Sequence, residues 1–274
     1  MIVSKIRTLL IYLALVLVAG IYVIPYYLLI TSAFKEPVEI FNFDRLLIFR
    51  PSLINFEKAI AEYEVHLALR NSIIVMVPST LLVVVISTLA AYALARFRFK
   101  GREAVALDIL SLRMMPVVVT VIPLFLLSSA IGLTNTYWIL IVVYTVFNLP
   151  LAIWLMKTFI EDVPIEVEEA ASIDGAGRFT TLWKIVFPLL ANGILATAVL
   201  TSIFIWNEFL FAVVLTGGAE TKTLPVLAAQ AMKTRYISWG DACAIGVIAT
   251  LPLLALFAVV QKYLLRALTF GLVR

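Results

Sequence analysis

EEAASIDGAGRFTTLWKIVFP, residues 168–188, is a charged, glycine-containing segment set between two long apolar runs in a chain that is 63% hydrophobic. Just before it stand Asp162, Val163 and Pro164. Proline suits the first turn of a helix, and Glu166, Glu168 and Glu169 favour the positive end of the helix dipole. A helix is therefore expected to follow Pro164. Asp174-Gly175 supplies a turn in which glycine accepts a positive φ, and Arg178 to Phe187 reads as a second, amphipathic helix before Pro188. The product is a helix-turn-helix along one membrane face. Ala170 and Ala171 have almost no side chain, so the cleft of another protein can approach their backbone, and Glu169 can meet a basic group at the edge.

The surrounding composition makes lipid the solvent. Mean hydropathy is +1.08 and only 14% of the 274 residues are charged, against an apolar share of roughly 45–50% in ordinary soluble domains. One cysteine, Cys243, has no internal disulfide partner, and one histidine, His66, cannot build a zinc cage or a histidine-based triad by itself. Metal, thiol and hydrolytic chemistry are not expected. A phosphate-binding G-x-x-x-x-G-K-[ST] loop is also missing from the sequence, so the chain cannot hold ATP by that device.

A span needs about 20 apolar residues to cross roughly 30 Å of hydrocarbon. The windows that qualify are Thr8–Phe34, Ser72–Ala95, Ala104–Ser128, Trp138–Met156, Asn192–Thr216 and Ala242–Leu264. The fold class expected is an all-α integral membrane protein of six transmembrane helices, because an open strand edge finds no partner in lipid. The first window is too long for a signal-peptide core and reads as a retained span. Lysine and arginine are denser on the side holding the N-terminus, most clearly in the short loop RFRFKGR, residues 96–102. That bias predicts both termini inside, in a multi-pass protein of the cell membrane.

Outer loop 35–71 contains Pro37 and Pro51, and a polar run around Phe56–Tyr63 suits a short surface helix. The division expected is residues 1–70 as first span and outer loop, 71–264 as transmembrane core with an inner loop at 157–191, and 265–274 as a tail. The basic run Lys262 to Arg274 is explained by snorkelling at the inner interface. Pro25, Pro78, Pro116, Pro123, Pro150 and Pro252 lie within spans, where they kink helices or serve as hinges in a bundle that rearranges.

Glu169, Ala170 and Ala171, then Gly175, Ile185 and Pro188, resemble the E-A-A loop of the membrane-spanning subunits of binding-protein-dependent ABC importers, with Phe187 where leucine is usual. The resemblance covers nearly the whole chain. Thr31-Ser32-Ala33-Phe34-Lys35, Asn71-Ser72, Ala90 to Arg96, Ile131 to Thr136 and Trp206-Asn207-Glu208-Phe209 are similar to stretches of the carbohydrate branch. It implies the type I importer permease fold and coupling to an ATPase through Glu169, Ala170, Ala171, Asp174, Gly175, Ile185 and Pro188. The implied partners are a second homologous permease, two copies of an ATPase subunit and an external sugar-binding protein. No cofactor is expected on this chain, ATP and Mg belonging to the ATPase. The solute implied is a maltose, trehalose, other oligosaccharide or polyol.

Within the spans, Tyr144, Asn148, Trp206, Asn207 and Glu208 form a set of amide, carboxylate and aromatic groups suited to a sugar path, and equally to hydrogen bonds between helices. Arg113 falls near mid-membrane, where a charge costs about 2.5–3.5 kcal/mol. Asp108, five positions earlier, lies roughly 140° around a helix from it, so Arg113 needs another acceptor, such as a carbonyl freed by Pro116 or a group on a second subunit. In the outer loop 217–241, Leu224, Pro225 and Gln230 are docking candidates for the binding protein, with Arg235, Tyr236 and Trp239 further on. Two readings stay open beside the sugar permease: an ABC permease for another solute, and an ion-coupled carrier that uses Asp108 and Glu208 as relays.

Overall fold

The computed structural model describes residues 2–232 and 238–270, and every regular element in them is helical. Arg235 and Tyr236 lie outside the described residues, as do residues 271–274 and the side chains of the basic run from Lys262. Among the described residues four helices are long and apolar enough to cross a membrane: Thr8–Ala33, Val65–Arg96, Tyr137–Glu161 and Trp239–Ala258. The number rises to six if each of two bent pairs counts as one span.

The chain divides into two compact units, Met1–His66 with Leu227–Pro252, and Leu67–Val226 with Leu253–Arg274. In the first unit α1 (Ile2–Ala33) is followed by an outer loop carrying α2 (Ile54–Ala61), the short surface helix expected there. Asn55 of α2 is fully buried and donates to the carbonyls of Ala33 at 3.0 Å and Lys35 at 2.7 Å. These carbonyls are left without helical partners where α1 ends, so the amide caps it from a distance in sequence. The Lys35 ammonium sits 5.0 Å from the Phe49 ring centroid.

The second unit starts with most of α3 (Val65–Arg96) and continues with α4 (Arg102–Ser111), α5 (Val117–Ala130) and α6 (Tyr137–Glu161). The inner loop supplies α7 (Ile165–Ile173), α8 (Arg178–Thr181) and, after a π-helical stretch at Leu182–Val186, α9 (Phe187–Leu189). The unit then runs through α10 (Ala191–Trp206) and α11 (Leu210–Leu215). α12 (Leu224–Ala231) and α13 (Trp239–Phe270) complete the chain.

α6 is the enclosed helix of this unit, with 61% of its most apolar window buried. It joins two apolar clusters. One gathers Val75, Val121, Leu140, Tyr144, Ile205, Phe211 and Leu215; the other gathers Ala91, Tyr92, Ala106, Met156, Ile160, Leu182 and Val186.

Two expected spans are broken. The window 104–128 splits into α4 and α5 at an 87° bend. Pro116 has no N–H to donate and disfavours the helical region for the residue before it; Met115 is accordingly extended, at φ −66° and ψ 128°. The window 192–216 ends as a helix at Trp206 and resumes at Leu210, while the inner-loop helix meets α10 at 77° around Leu190. Pro188 does not end the second inner-loop helix as expected. The π-helical stretch shifts the Phe187 N–H to the carbonyl of Leu182, five residues back, and the chain stays helical through Leu189.

α6 and α10 pack closely at Gly193, where a Cβ would lie 2.5 Å from the Phe159 ring. Small residues at such seams let backbones approach in lipid. Gly193→Val is expected to separate the two helices and destabilise the chain by about 1–3 kcal/mol, read as a lowered thermal unfolding midpoint of the detergent-solubilised protein beside a surface control.

Candidate functional site

The inner loop folds as an elbow. Asp174 closes α7, and the Gly175 and Ala176 N–H groups return to the carbonyls of Ser172 at 3.1 Å and Ala171 at 2.9 Å. This pair of bonds is the Schellman closure, which places a left-handed residue just past the helix; Gly175 has φ +85°. Glu169, Ala170, Asp174 and Pro188 are exposed and Ile185 is half-buried. Ala171 departs from the expected arrangement. At 6% exposure it faces the protein's own interior, and its small size serves packing of the elbow rather than access from outside. Ile173, 86% exposed, and Phe179 are the most exposed of the large apolar side chains that the elbow presents outward.

What holds the elbow lies on α3 and escaped sequence reasoning. Arg96 Nε donates to Glu168 Oε1 at 2.6 Å, and Tyr92 Oη donates to Glu168 Oε2 at 2.8 Å. Arg96 Nη2 donates to the carbonyls of Ile160 at 2.8 Å and Val163 at 2.7 Å, around the end of α6. Both charged side chains are only 11% exposed. Removing one partner from such a pair costs about 3–5 kcal/mol because the other charge stays buried. On the second arm, the Arg178 guanidinium lies 4.7 Å from the Phe97 ring centroid. No local pattern marks the pair, whose members stand 72 residues apart.

A second feature is a cavity of about 340 Å³ between α5, α6, α10 and α11. Of the path candidates, Tyr144, Asn148 and Glu208 line it together. Trp206 is buried and Asn207 is exposed, its amide donating to the Ile203 carbonyl at 2.8 Å; neither is on the lining. Glu208 accepts from the backbone N–H groups of Phe211 at 2.9 Å and Ala212 at 3.3 Å, capping α11 where the span restarts. The Tyr144 hydroxyl is buried and faces the Glu208 carboxylate. Arg113 joins the lining. Its acceptor is the Phe147 carbonyl at 2.9 Å, one turn before Pro150, rather than a carbonyl near Pro116, and its guanidinium stacks 5.1 Å from the Phe204 centroid.

On the opposite end of the second unit, the loop after α11 is stitched down. Asn71 donates to the carbonyls of Glu220 at 2.8 Å and Lys222 at 3.0 Å, and accepts from Tyr137 Oη at 2.7 Å. Asn135 Oδ1 accepts from Gly218 N at 2.9 Å and Thr221 Oγ1 at 2.6 Å. Among the docking candidates Leu224 is 1% exposed, with its N–H on Ser72 Oγ at 2.8 Å, so it anchors the loop instead of offering a surface. Pro225 is half-buried and Gln230 exposed.

Comparison with known proteins bears on the chain as a whole. The family described as "Binding-protein-dependent transport system inner membrane component" matches residues 84–270. A trehalose/maltose transport system permease protein, MalG of Thermococcus litoralis, is 36% identical over 259 residues, covering 93% of each chain. The sulfoquinovosyl glycerol transport system permease protein SmoH of Agrobacterium fabrum is 35% identical over 221 residues, 81% of this chain and 78% of its own. A chain in the crystal structure of a bacterial ABC transporter that imports the acidic polysaccharide alginate aligns with TM-score 0.78 at 23% identity, covering 94% of this chain and 96% of that one. That likeness shows the permease fold.

Gly175→Ala tests the elbow turn by itself. A Cβ there meets nothing within 4 Å, so the cost is the left-handed backbone alone, about 1–2 kcal/mol. Faster hydrogen exchange at the Gly175 and Ala176 amides, with α6 unaffected, is the expected result.

Proposed function

Since the chain belongs to the family of binding-protein-dependent transport system inner membrane components, we propose that it forms one half of the membrane path through which an ATP-driven importer takes up a sugar. As a permease subunit it is a multi-pass membrane protein and performs transport rather than catalysis. The solute we assign is maltose, trehalose, another oligosaccharide or a polyol. Support comes from the names of the two relatives and from a cavity that combines aromatic faces with an amide and a carboxylate, the groups that sugars hydrogen-bond and stack on.

In this reading the other half of the path is a second, homologous permease. Two ATPase copies sit on the cytoplasmic side, where both termini also lie, with this elbow seated on one of them, and a sugar-binding protein docks outside. ATP and Mg reside on the ATPase. The single observation that carries the coupling is the elbow itself: a helix-turn-helix that presents Glu169 and Ala170 outward while Glu168 and Ala171 are held by the protein's own core. Closure of the ATPase pair moves the elbow, and the spans tilt from inward-open to outward-open. Swinging such an equilibrium from 1:99 to 99:1 takes about 5.5 kcal/mol of differential binding, so a loose elbow would waste the stroke.

Proteoliposomes holding the whole complex test the assignment, with labelled maltose, trehalose and an acidic sugar as probes. The acidic sugar is included because Arg113 puts a cation on the cavity wall. Uptake of one probe is expected to need ATP and the binding protein and to survive collapse of proton and sodium gradients. Gradient-driven uptake without ATP would establish the ion-coupled carrier instead. Asn148→Leu is expected to lower uptake roughly tenfold, the equivalent of one lost hydrogen bond of ~1.4 kcal/mol, without loss of assembly. Glu169→Arg is expected to abolish uptake by weakening co-purification of the ATPase.

A further inference from the structure

Glu168 and Glu169 are neighbours on α7, about 100° apart around the helix, and they have opposite surroundings. Glu169 is exposed, whereas both oxygens of Glu168 are occupied, one by Arg96 and one by Tyr92. Arg96 in turn reaches the two carbonyls at the end of α6. A guanidinium is a rigid planar fork with several donors, so three elements, α3, α6 and α7, are fixed to one another through a single group. Phe97, the residue just past α3, also touches the second arm of the elbow, lying under Arg178. Tyr92 and Phe97 pack edge to face at 6.2 Å, which joins the two grips.

We propose that the Tyr92–Arg96–Glu168 clamp is the joint through which displacement of the elbow reaches the spans, with Arg96 and Glu168 as positioning residues for coupling. This rests on the importer reading above and adds where the force enters the bundle. The elbow's covalent ends are poor transmitters: Asp162–Pro164 joins it to α6 through a non-helical turn, and the chain bends by 77° into α10. The clamp bypasses both by tying α7 sideways to the last turns of α3 and α6. Glu169 then answers to the partner and Glu168 to the permease. Charge alone does not suffice, because an ammonium at position 96 lacks the fork needed to hold a carboxylate and two carbonyls at once.

The experiment uses the assembled complex with Cys243→Ser, which removes the chain's one native thiol, and with Thr120→Cys on the cavity wall. Labelling by a membrane-impermeant maleimide is timed with and without ATP–vanadate trapping, beside ATP hydrolysis. In the parent, trapping is expected to change the labelling rate by about 5- to 150-fold, the range of typical coupling between sites. In Arg96→Lys and Glu168→Gln the change is expected to fall below roughly twofold while hydrolysis per complex continues. A full parental response in both variants would overturn the clamp as the joint, whatever their yield. A parent whose labelling ignores trapping would instead refute the importer reading. Should either variant fail to assemble, Tyr92→Phe, which deletes one hydroxyl, decides: an intermediate response supports the joint and an unchanged one refutes it.

Discussion

One guanidinium organises the inner end of the second unit. Arg96 is largely withdrawn from solvent, and its cost of burial is offset only because a carboxylate and two carbonyls converge on it. Each acceptor has its own reason to be there. The Ile160 and Val163 carbonyls stand around the end of α6, where helical partners run out, and a cation also suits the negative end of the helix dipole. Glu168 arrives from α7, whose first turn favours acidic residues. The elbow's position thus follows from satisfying one buried charge.

The same economy governs the middle of the membrane. Where α4 gives way to α5 and α10 to α11, the backbone is broken, and lipid tolerates such breaks only where protein groups take up the freed polar atoms. Glu208 does so for α11, and Arg113 reaches a carbonyl of α6 near its proline. The two charges that look most out of place in an apolar sequence are therefore both at helix interruptions, and both border the cavity. Interrupted helices thus bring two charged side chains to the wall of a largely apolar cavity.

Much of this was legible in the residues. Apolar run lengths located the membrane-crossing segments, and Pro164, Gly175 and the acidic first turn located the elbow, because these signals act within a few residues of themselves. The pairing of Arg96 with Glu168 was not legible: Arg96 reads equally well as one more inside-positive charge, and only the fold brings the two together. Ala171 and Leu224 were placed on interaction surfaces because their types and spacing suit docking, yet which face of a short helix turns inward is decided by what it packs on. The break at Met115 follows from Pro116 in hindsight. In the sequence, Pro116 is indistinguishable from Pro123 and Pro150, which the structure keeps inside α5 and α6.

α3 is one continuous helix, and its two ends do comparable work. Asn71 and Ser72 hold the loop that follows α11, and Tyr92 and Arg96 hold the elbow. Along the axis those grips are about 37 Å apart at 1.5 Å per residue, close to the full thickness of a bilayer. A strut gripped at both ends offers the shortest covalent connection between those two sets of contacts. For the importer proposed above, reciprocity sets one condition on this rod: to the extent that its two grips are coupled, each alters the other by the same free energy, whichever side is engaged first.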